Sequence, residues 1–158
     1  AAVSLAQMYV FFGLANKFQV EILRTEDGVI YPSIPVPMLK SIILIFRGPR
    51  VYDRLKHERG MHKFVGSNTT DKTKMTFVKV RVIKGSEATQ ALRKETLSIH
   101  VPPVRTYDLL DGFALDHQTN MIEDTDEVMN GALGTFHRRH EEQEVESYLE
   151  RELKKRTL

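Results

Sequence analysis

The sequence predicts an α+β fold, a sandwich of sheet and helices, from the order of its patterned segments: a leading helix, a series of strands, and a closing helix. Ala2, Leu5, Ala6, Met8, Tyr9, Phe12 and Ala15 recur at helical spacing, so the leading helix has one apolar face and ends near Asn16. From Asp124 to the end the pattern is helical again, in two pieces around Gly131 and Gly134, and the last piece carries Glu and Lys/Arg at spacings of three and four. A chain of 158 residues with 41% apolar content has the size of one domain and can build a core. No run of about 18 or more apolar residues predicts a membrane span, and no signal-peptide pattern is present.

Between the helices, "FQVEIL" alternates as a strand. "YPSIPVPML" carries three prolines and reads as a loop leading into the apolar strand "KSIILIF". Gly48-Pro49 ends that strand, and "RVYDRLKHE" reads as a short helix stopped at Gly60. The clearest strand is "MTFVKVRVI", with Val78, Val80 and Val82 on one face and Lys79 and Arg81 on the other. A polar stretch without pattern, "KGSEATQALRKET", follows. Then comes the extended "LSIHVPPVRTY", where Pro102-Pro103 predicts an edge or irregular strand.

The net charge of +2 hides an asymmetry. Residues 1–110 hold 17 Lys/Arg against 9 Asp/Glu, whereas 111–158 hold 6 against 12. Segment 47–84 alone has 11 basic and 3 acidic residues, a density that attracts phosphates. With no cysteine, disulfide scaffolds, thiol catalysis and cysteine zinc sites are excluded.

Two constellations suggest chemistry. Asp116 and His117, in "RTYDLLDGFALDHQTN", place a carboxylate beside an imidazole, and His137-x-x-His140 puts two imidazoles one helical turn apart, a spacing that can hold a metal. Because "HRRHEEQEVESYLERELKKR" is charged all round, the expectation for the histidine pair is a solvated or protein-contacting helix. Neither a metal nor a cofactor is expected. Thr70, Asp71 and His62 have the types of a nucleophile and its base, but no third group in the pattern would orient them.

Four ordered segments resemble the class I peptide-chain release factors of bacterial and organellar type. Met8-Tyr9 stands before "FQVEIL" as that family's "MY" stands before "W-x-VE-[IV]". "VYDRLKHERGMHKFV" resembles "YxRLKFESGxHRVQRV", retaining Tyr52, Arg54, Leu55, Lys56, Glu58, Gly60 and His62. Arg105, Thr106, Tyr107, Gly112, Asp116, His117 and Asn120 match "RTYNFPQGRVTDHRxN", and "DEVMNG" at 126–131 matches "DEVMEG".

The resemblance implies a codon-recognition superdomain: a mixed or antiparallel sheet with packed helices and a long C-terminal helix. In the family, a separate domain carrying Gly-Gly-Gln hydrolyses the peptidyl-tRNA ester, and it lies between the strand corresponding to "MTFVKVRVI" and the "RTY" motif. Here only Lys84 to Val104 fills that interval, less than the ~50 residues a packed domain needs, and the chain holds no Gly-Gly dipeptide. The expectation is one superdomain over 1–158. Residues 1–84 form its codon-recognition-like part, 85–104 a simple connection joining neighbouring strands, and 105–158 a part packing back on it. Asp116 is then structural, and no residue is expected to be catalytic.

The family reads stop codons with a Pro-x-Thr or Ser-Pro-Phe loop and a His-Thr pair, and the helix tip that helps read the first base would lie ahead of Ala1. By position the loop falls on Asn68, Thr69 and Thr70 and the pair on Phe77 and Val78, so only Thr70 survives. Arg50, Arg54, Lys56, Arg59, Lys63, Lys72 and Lys74 remain as expected phosphate contacts to ribosomal RNA. The expected partners are ribosomal RNA and ribosomal or assembly-factor proteins, with no membrane and no small-molecule substrate. The reading implied is a non-catalytic, ribosome-associated homologue in the mitochondrial matrix. A release factor whose Gly-Gly-Gln domain lies outside this sequence, and a blocker of the decoding site, are its competitors.

Overall fold

The structure, a computed structural model, describes residues 1–26, 29–30, 41–66, 73–85 and 101–157. The proline-rich segment 31–39, most of the 85–104 connection, and Asn68, Thr69, Thr70 and Lys72 lie outside the described residues.

Helix α1 (Ala2–Ala15) buries Leu5, Met8, Tyr9, Phe12 and Gly13, the face its periodicity predicts. It ends where Asn16 folds back: Asn16 Nδ2 donates to the Phe12 carbonyl at 2.8 Å, and Lys17 takes a left-handed turn at φ 60. Full burial of side chains of this size contributes roughly 1.5–3 kcal/mol each, so this helix anchors the core.

Two sheets flank α1. In the first, β1 (Gln19–Glu26) pairs antiparallel with β2 (Val29–Ile30) and β3 (Ser41–Arg47) in the order β2-β1-β3. Leu44 and Phe46 of β3 pack against the α1 core. Next come helix α2 (Val51–Leu55) and a 3₁₀ turn, Lys56–Glu58, which lead into the second sheet. Its strands are β4 (Gly60–Val65), β5 (Met75–Val80), β6 (Arg105–Asp108), β7 (Phe113–Asp116) and β8 (Ile122–Asp124), in the order β5-β4-β6-β7-β8. Among the described residues, only β4 and β6 pair in parallel.

This order corrects two sequence expectations. Strand β6 is central, not an edge strand, because Pro102 and Pro103 precede the first paired residue and remove no ladder donor. Val104 N already donates to the Met61 carbonyl at 2.7 Å. Residues 81–104 also do not join neighbouring strands. Both flanks lie in one sheet, but β4 stands between β5 and β6 and pairs with each. Val80 ends β5 beside Gly60 and Arg105 begins β6 beside His62, so the strands that flank the interval end and begin at the same end of β4.

Helix α3 (Thr125–Met129) is capped by Asp124, whose side chain accepts from Glu127 N at 3.1 Å. Helix α4 (Gly134–Thr157) closes the chain, and no helix among the described residues is long and apolar enough to cross a membrane. The link between α3 and α4 lies directly on α1. Gly131 has φ +93, and a Cβ there would stand 2.4 Å from Phe12 N and 2.7 Å from Phe11 C. The glycine of "DEVMNG" is therefore required by backbone conformation and by contact with another backbone. Gly131→Ala should cost roughly 2–6 kcal/mol of stability, from positive-φ strain together with overpacking. Gly134→Ala, where a Cβ meets nothing within 4 Å, should be near neutral in the same denaturant titration.

Candidate functional site

The motif residues meet inside the protein. Arg105 of β6 is wholly buried and forks onto Glu58, with Nη1 donating to Oε2 at 2.9 Å and Nη2 to Oε1 at 3.0 Å. The same Nη2 donates to Asp116 Oδ2 on β7 at 3.0 Å, and Phe136 of α4 covers the guanidinium at 4.2 Å from its ring centroid. Tyr9 of α1 donates its hydroxyl to Glu58 Oε2 at 2.9 Å. His137 Nε2 and His140 Nε2 of α4 reach Glu58 Oε1 at 2.9 Å and Asp116 Oδ2 at 3.4 Å. His62 of β4 donates from Nε2 to the Glu58 carbonyl at 2.8 Å, which leaves Nδ1 to accept the Tyr107 hydroxyl at 3.0 Å.

Strand pairing explains the convergence. Val78, His62, Arg105 and Asp116 are successive cross-strand partners on β5, β4, β6 and β7, so all four point to the face covered by α1 and α4. Asp116 also organises the β7–β8 turn, where its Oδ1 accepts from Gln118 N, Thr119 N and the Thr119 hydroxyl. Asn120 closes that turn at φ 59, a conformation that asparagine tolerates better than most residues.

Electrostatics in this interior are strongly perturbed. Burial alone would raise Glu58, but Arg105 and the His137 hydrogen bond outweigh it and hold the carboxyl well below its usual range. Asp116 follows the same pattern, with the His140 hydrogen bond and Arg105 overcoming desolvation. Burial drives Tyr9 well upward, and Glu58 adds to the effect. His62 is lowered to about 4, chiefly by burial.

These contacts correct the reading of the C-terminal histidines. His137 and His140 are buried and bound to carboxylates of their own chain, because Leu133, Phe136, His137 and His140 form a helical stripe facing the sheet. The charge all round the helix begins only beyond them. Asp116 and His117 do not act together either: Asp116 is sealed, whereas His117 is exposed and shares a 2.7 Å hydrogen bond with Thr106 Oγ1.

The expected phosphate contacts separate into two groups. Arg54 is half-buried, donating to Asn16 Oδ1 and lying 5.1 Å over the Phe12 ring, and Lys56 pairs with Glu144 of α4 at 2.9 Å. Both already have a partner within the chain, whereas the sequence expectation places them against phosphate. Being retained in the motif reflects these contacts, as does Tyr52, whose ring lies 4.7 Å beneath the Lys84 ammonium. Arg50 is exposed beside Asp53 at 3.9 Å. Arg59, Lys63 and Lys74 form no ion pair with a described side chain; Arg59 stands just ahead of β4, Lys63 within it and Lys74 just ahead of β5, over roughly 20 Å.

Phe77 and Val78 part company. Val78 packs on the core, while Phe77 stands opposite Lys63 on the uncovered face, in a row that continues through Thr106 and Leu115 to Ile122. This row, half-buried at Phe77 and Lys63 and 61% exposed at Ile122, is the open surface of the second sheet.

An α+β domain with this sheet order and these motif residues locked in its interior has the architecture of a release-factor codon-recognition superdomain. A similar solved structure is release factor RF2 of Thermus thermophilus, with a TM-score of 0.54 at 16% identity, the match covering 84% of this chain and 60% of that one. Residues 2–80, half of the chain, match the PCRF domain family. The chain belongs to that class I release-factor-like family, and it spans 60% of the length of the release factor it matches.

Two outcomes follow from the buried charges. Arg105→Met should cost roughly 3–5 kcal/mol in chemical denaturation, because it leaves two buried carboxylates without their cation. Acidification should act in two windows. The folded pKa of His62 lies below its unfolded value, so the unfolded chain takes up the proton first, and stability falls as pH drops from about 6.5 to about 4. The loss is on the order of 3 kcal/mol across that window. Glu58 and Asp116, also depressed, lose their contribution only below the ordinary carboxylate range, as pH falls toward their folded values. In His62→Gln the slope of the upper window should shrink while the lower one persists. An unaltered upper slope would show that His62 does not carry it.

Proposed function

We propose that the protein is a non-hydrolytic release-factor homologue that docks on ribosomal RNA as a structural subunit or assembly factor of a mitochondrial ribosome. The observation that carries this reading is the interval between β5 and β6. Residues 81–104 link two strands of one sheet at the point where the family places its hydrolytic domain, and the sequence has no Gly-Gly dipeptide. The altered decoding positions support it further. Phe77 offers a ring and no polar edge where the family has an imidazole, and Val78 is turned into the core. Hydrogen-bonded base reading would lose roughly 1–3 kcal/mol for each bidentate contact removed. Attraction to phosphate does not depend on those groups, and Arg59, Lys63 and Lys74 supply it.

The mitochondrial assignment rests on the combination of a retained interior and altered functional motifs, expected where a paralogue is reused in an organelle's ribosome. Association with ribosomal or assembly-factor proteins belongs to the same reading.

Two measurements test it. Release of labelled formyl-methionine from loaded ribosomes should stay at background with or without a stop codon, and stop-codon-dependent release would end the proposal. Reversing Arg59, Lys63 and Lys74 to Glu should weaken ribosome or rRNA association without unfolding the domain. It should also flatten the log–log salt dependence by roughly 0.7–0.9 per lost contact. Association unaltered at every salt concentration would assign the docking to protein neighbours instead.

A further inference from the structure

Helix α4 carries an apolar stripe on the side turned away from the body. Val145, Tyr148, Leu149 and Leu153 are 57%, 56%, 53% and 62% exposed. At about 100° per residue they share one side of the helix. The side facing the body is a different one, where Gln143, Glu144, Ser147 and Arg151 line a cleft shared with Lys56 and His57. A single exposed leucine needs no explanation, but four exposed apolar side chains on one side of a helix whose other residues past His140 are charged or polar call for a partner.

We propose that the occupant is the same stripe of a second copy, the two helices running antiparallel about a two-fold axis near Leu149. The residues are self-complementary in that arrangement. Val145 and Leu153 each lie four positions from Leu149, so each meets the other across the axis while Leu149 meets its own copy. Charge follows the same symmetry. Glu141, Glu142 and Glu146 lie on one side of Leu149, and Lys154, Lys155 and Arg156 beyond Glu150 and Glu152 on the other. Antiparallel pairing sets each acidic end against a basic end, and Glu142 and Arg156, seven positions either side of Leu149, come together twice. A parallel pair would set like against like.

Arg139 already draws Glu142 and Glu146 to 3.2 and 3.1 Å, but exposed pairs of this kind are weak and leave the carboxylates available. Four apolar side chains from each copy make a contact below the usual size of a stable interface. Association should therefore be reversible and concentration-dependent. The pairing does not depend on the ribosomal reading.

Sedimentation equilibrium of the full chain at low salt should show a monomer–dimer equilibrium. Leu149→Glu should raise its Kd about tenfold or more while circular dichroism stays unchanged, since the side chain is not part of the core. Glu141→Lys with Glu142→Lys should weaken the dimer, as should Lys155→Glu with Arg156→Glu, and the four changes together should restore it. The chain has no cysteine, so Leu149→Cys should cross-link to itself under mild oxidation, and Val145→Cys should cross-link to Leu153→Cys in a mixture. A monomer at every concentration up to about 1 mM overturns the proposal, since the free energy would then be weaker than about −4 kcal/mol. A dimer indifferent to Leu149→Glu, or one that the fourfold charge exchange does not restore, overturns it as well.

Discussion

The interaction on which the rest depends is the buried guanidinium of Arg105 between Glu58 and Asp116. Taking three charges out of water is unfavourable by several kcal/mol per ion, and such a cluster persists only where its geometry is good and neighbouring donors complete it. Here Tyr9, His137 and His140 serve that purpose, and they come from both ends of the chain. The cluster therefore joins α1, the turn before β4, two central strands and the first turns of α4 at one point. An apolar contact could be replaced by another of similar volume, whereas this one specifies which strand lies beside which. Shifting β6 by one residue would turn Arg105 to the open face and leave Glu58 without a cation.

Much of this was legible in the sequence, though for a reason the sequence alone does not make plain. The helical spacing of Leu5, Met8, Tyr9 and Phe12, and the alternation around Val78, are direct consequences of burying one face; the helix forms where the pattern places it, and the strand expected over 75–83 ends at Val80, where its pairing with β4 runs out at Gly60. Motif retention at Glu58, His62, Arg105 and Asp116 marks a place in space, because these residues are far apart in the chain and meet only in the folded sheet. The contacts of Arg54 and Lys56 have the same origin: a cation in a basic segment suggests a solvated phosphate ligand, and only the folded chain brings Phe12, Asn16 and Glu144 beside them. The centrality of β6 was hidden because a parallel partner distant in sequence leaves no local signature. His137 and His140 were hidden by the charged residues around them. Their stripe with Leu133 and Phe136 was present in the spacing, but composition drew the attention instead.

Separation of the two sheet faces has a functional consequence. The inward rows carry the residues on which folding depends, and the outward row, from Phe77 through Lys63 and Thr106 to Ile122, carries none of the buried ion cluster. Substitution in this row therefore leaves the ion cluster itself untouched. Phe77 belongs to the outer row, and its neighbours on the strand, Thr76 and Val78, lie on the other face.

The same logic applies along α4 and explains why its two halves differ in composition. Its first turns are held by Phe136, His137 and His140 in the core and by Glu144 on Lys56, so their helicity follows from tertiary packing. Beyond Glu144 no residue of the helix is buried, and its stability must come from local pairs such as Lys155 with Glu152 at 3.0 Å, and from Lys154, Lys155 and Arg156 complementing the dipole at the C-terminal end. Those contributions are a few tenths of a kcal/mol each. A segment held so lightly gains little from exposed valine, tyrosine and leucine while it stays solvated, since polar residues of equal helix propensity would serve as well in water. Their clustering on one side, away from the body, is what a contact with another helix would require and what an isolated helix would not.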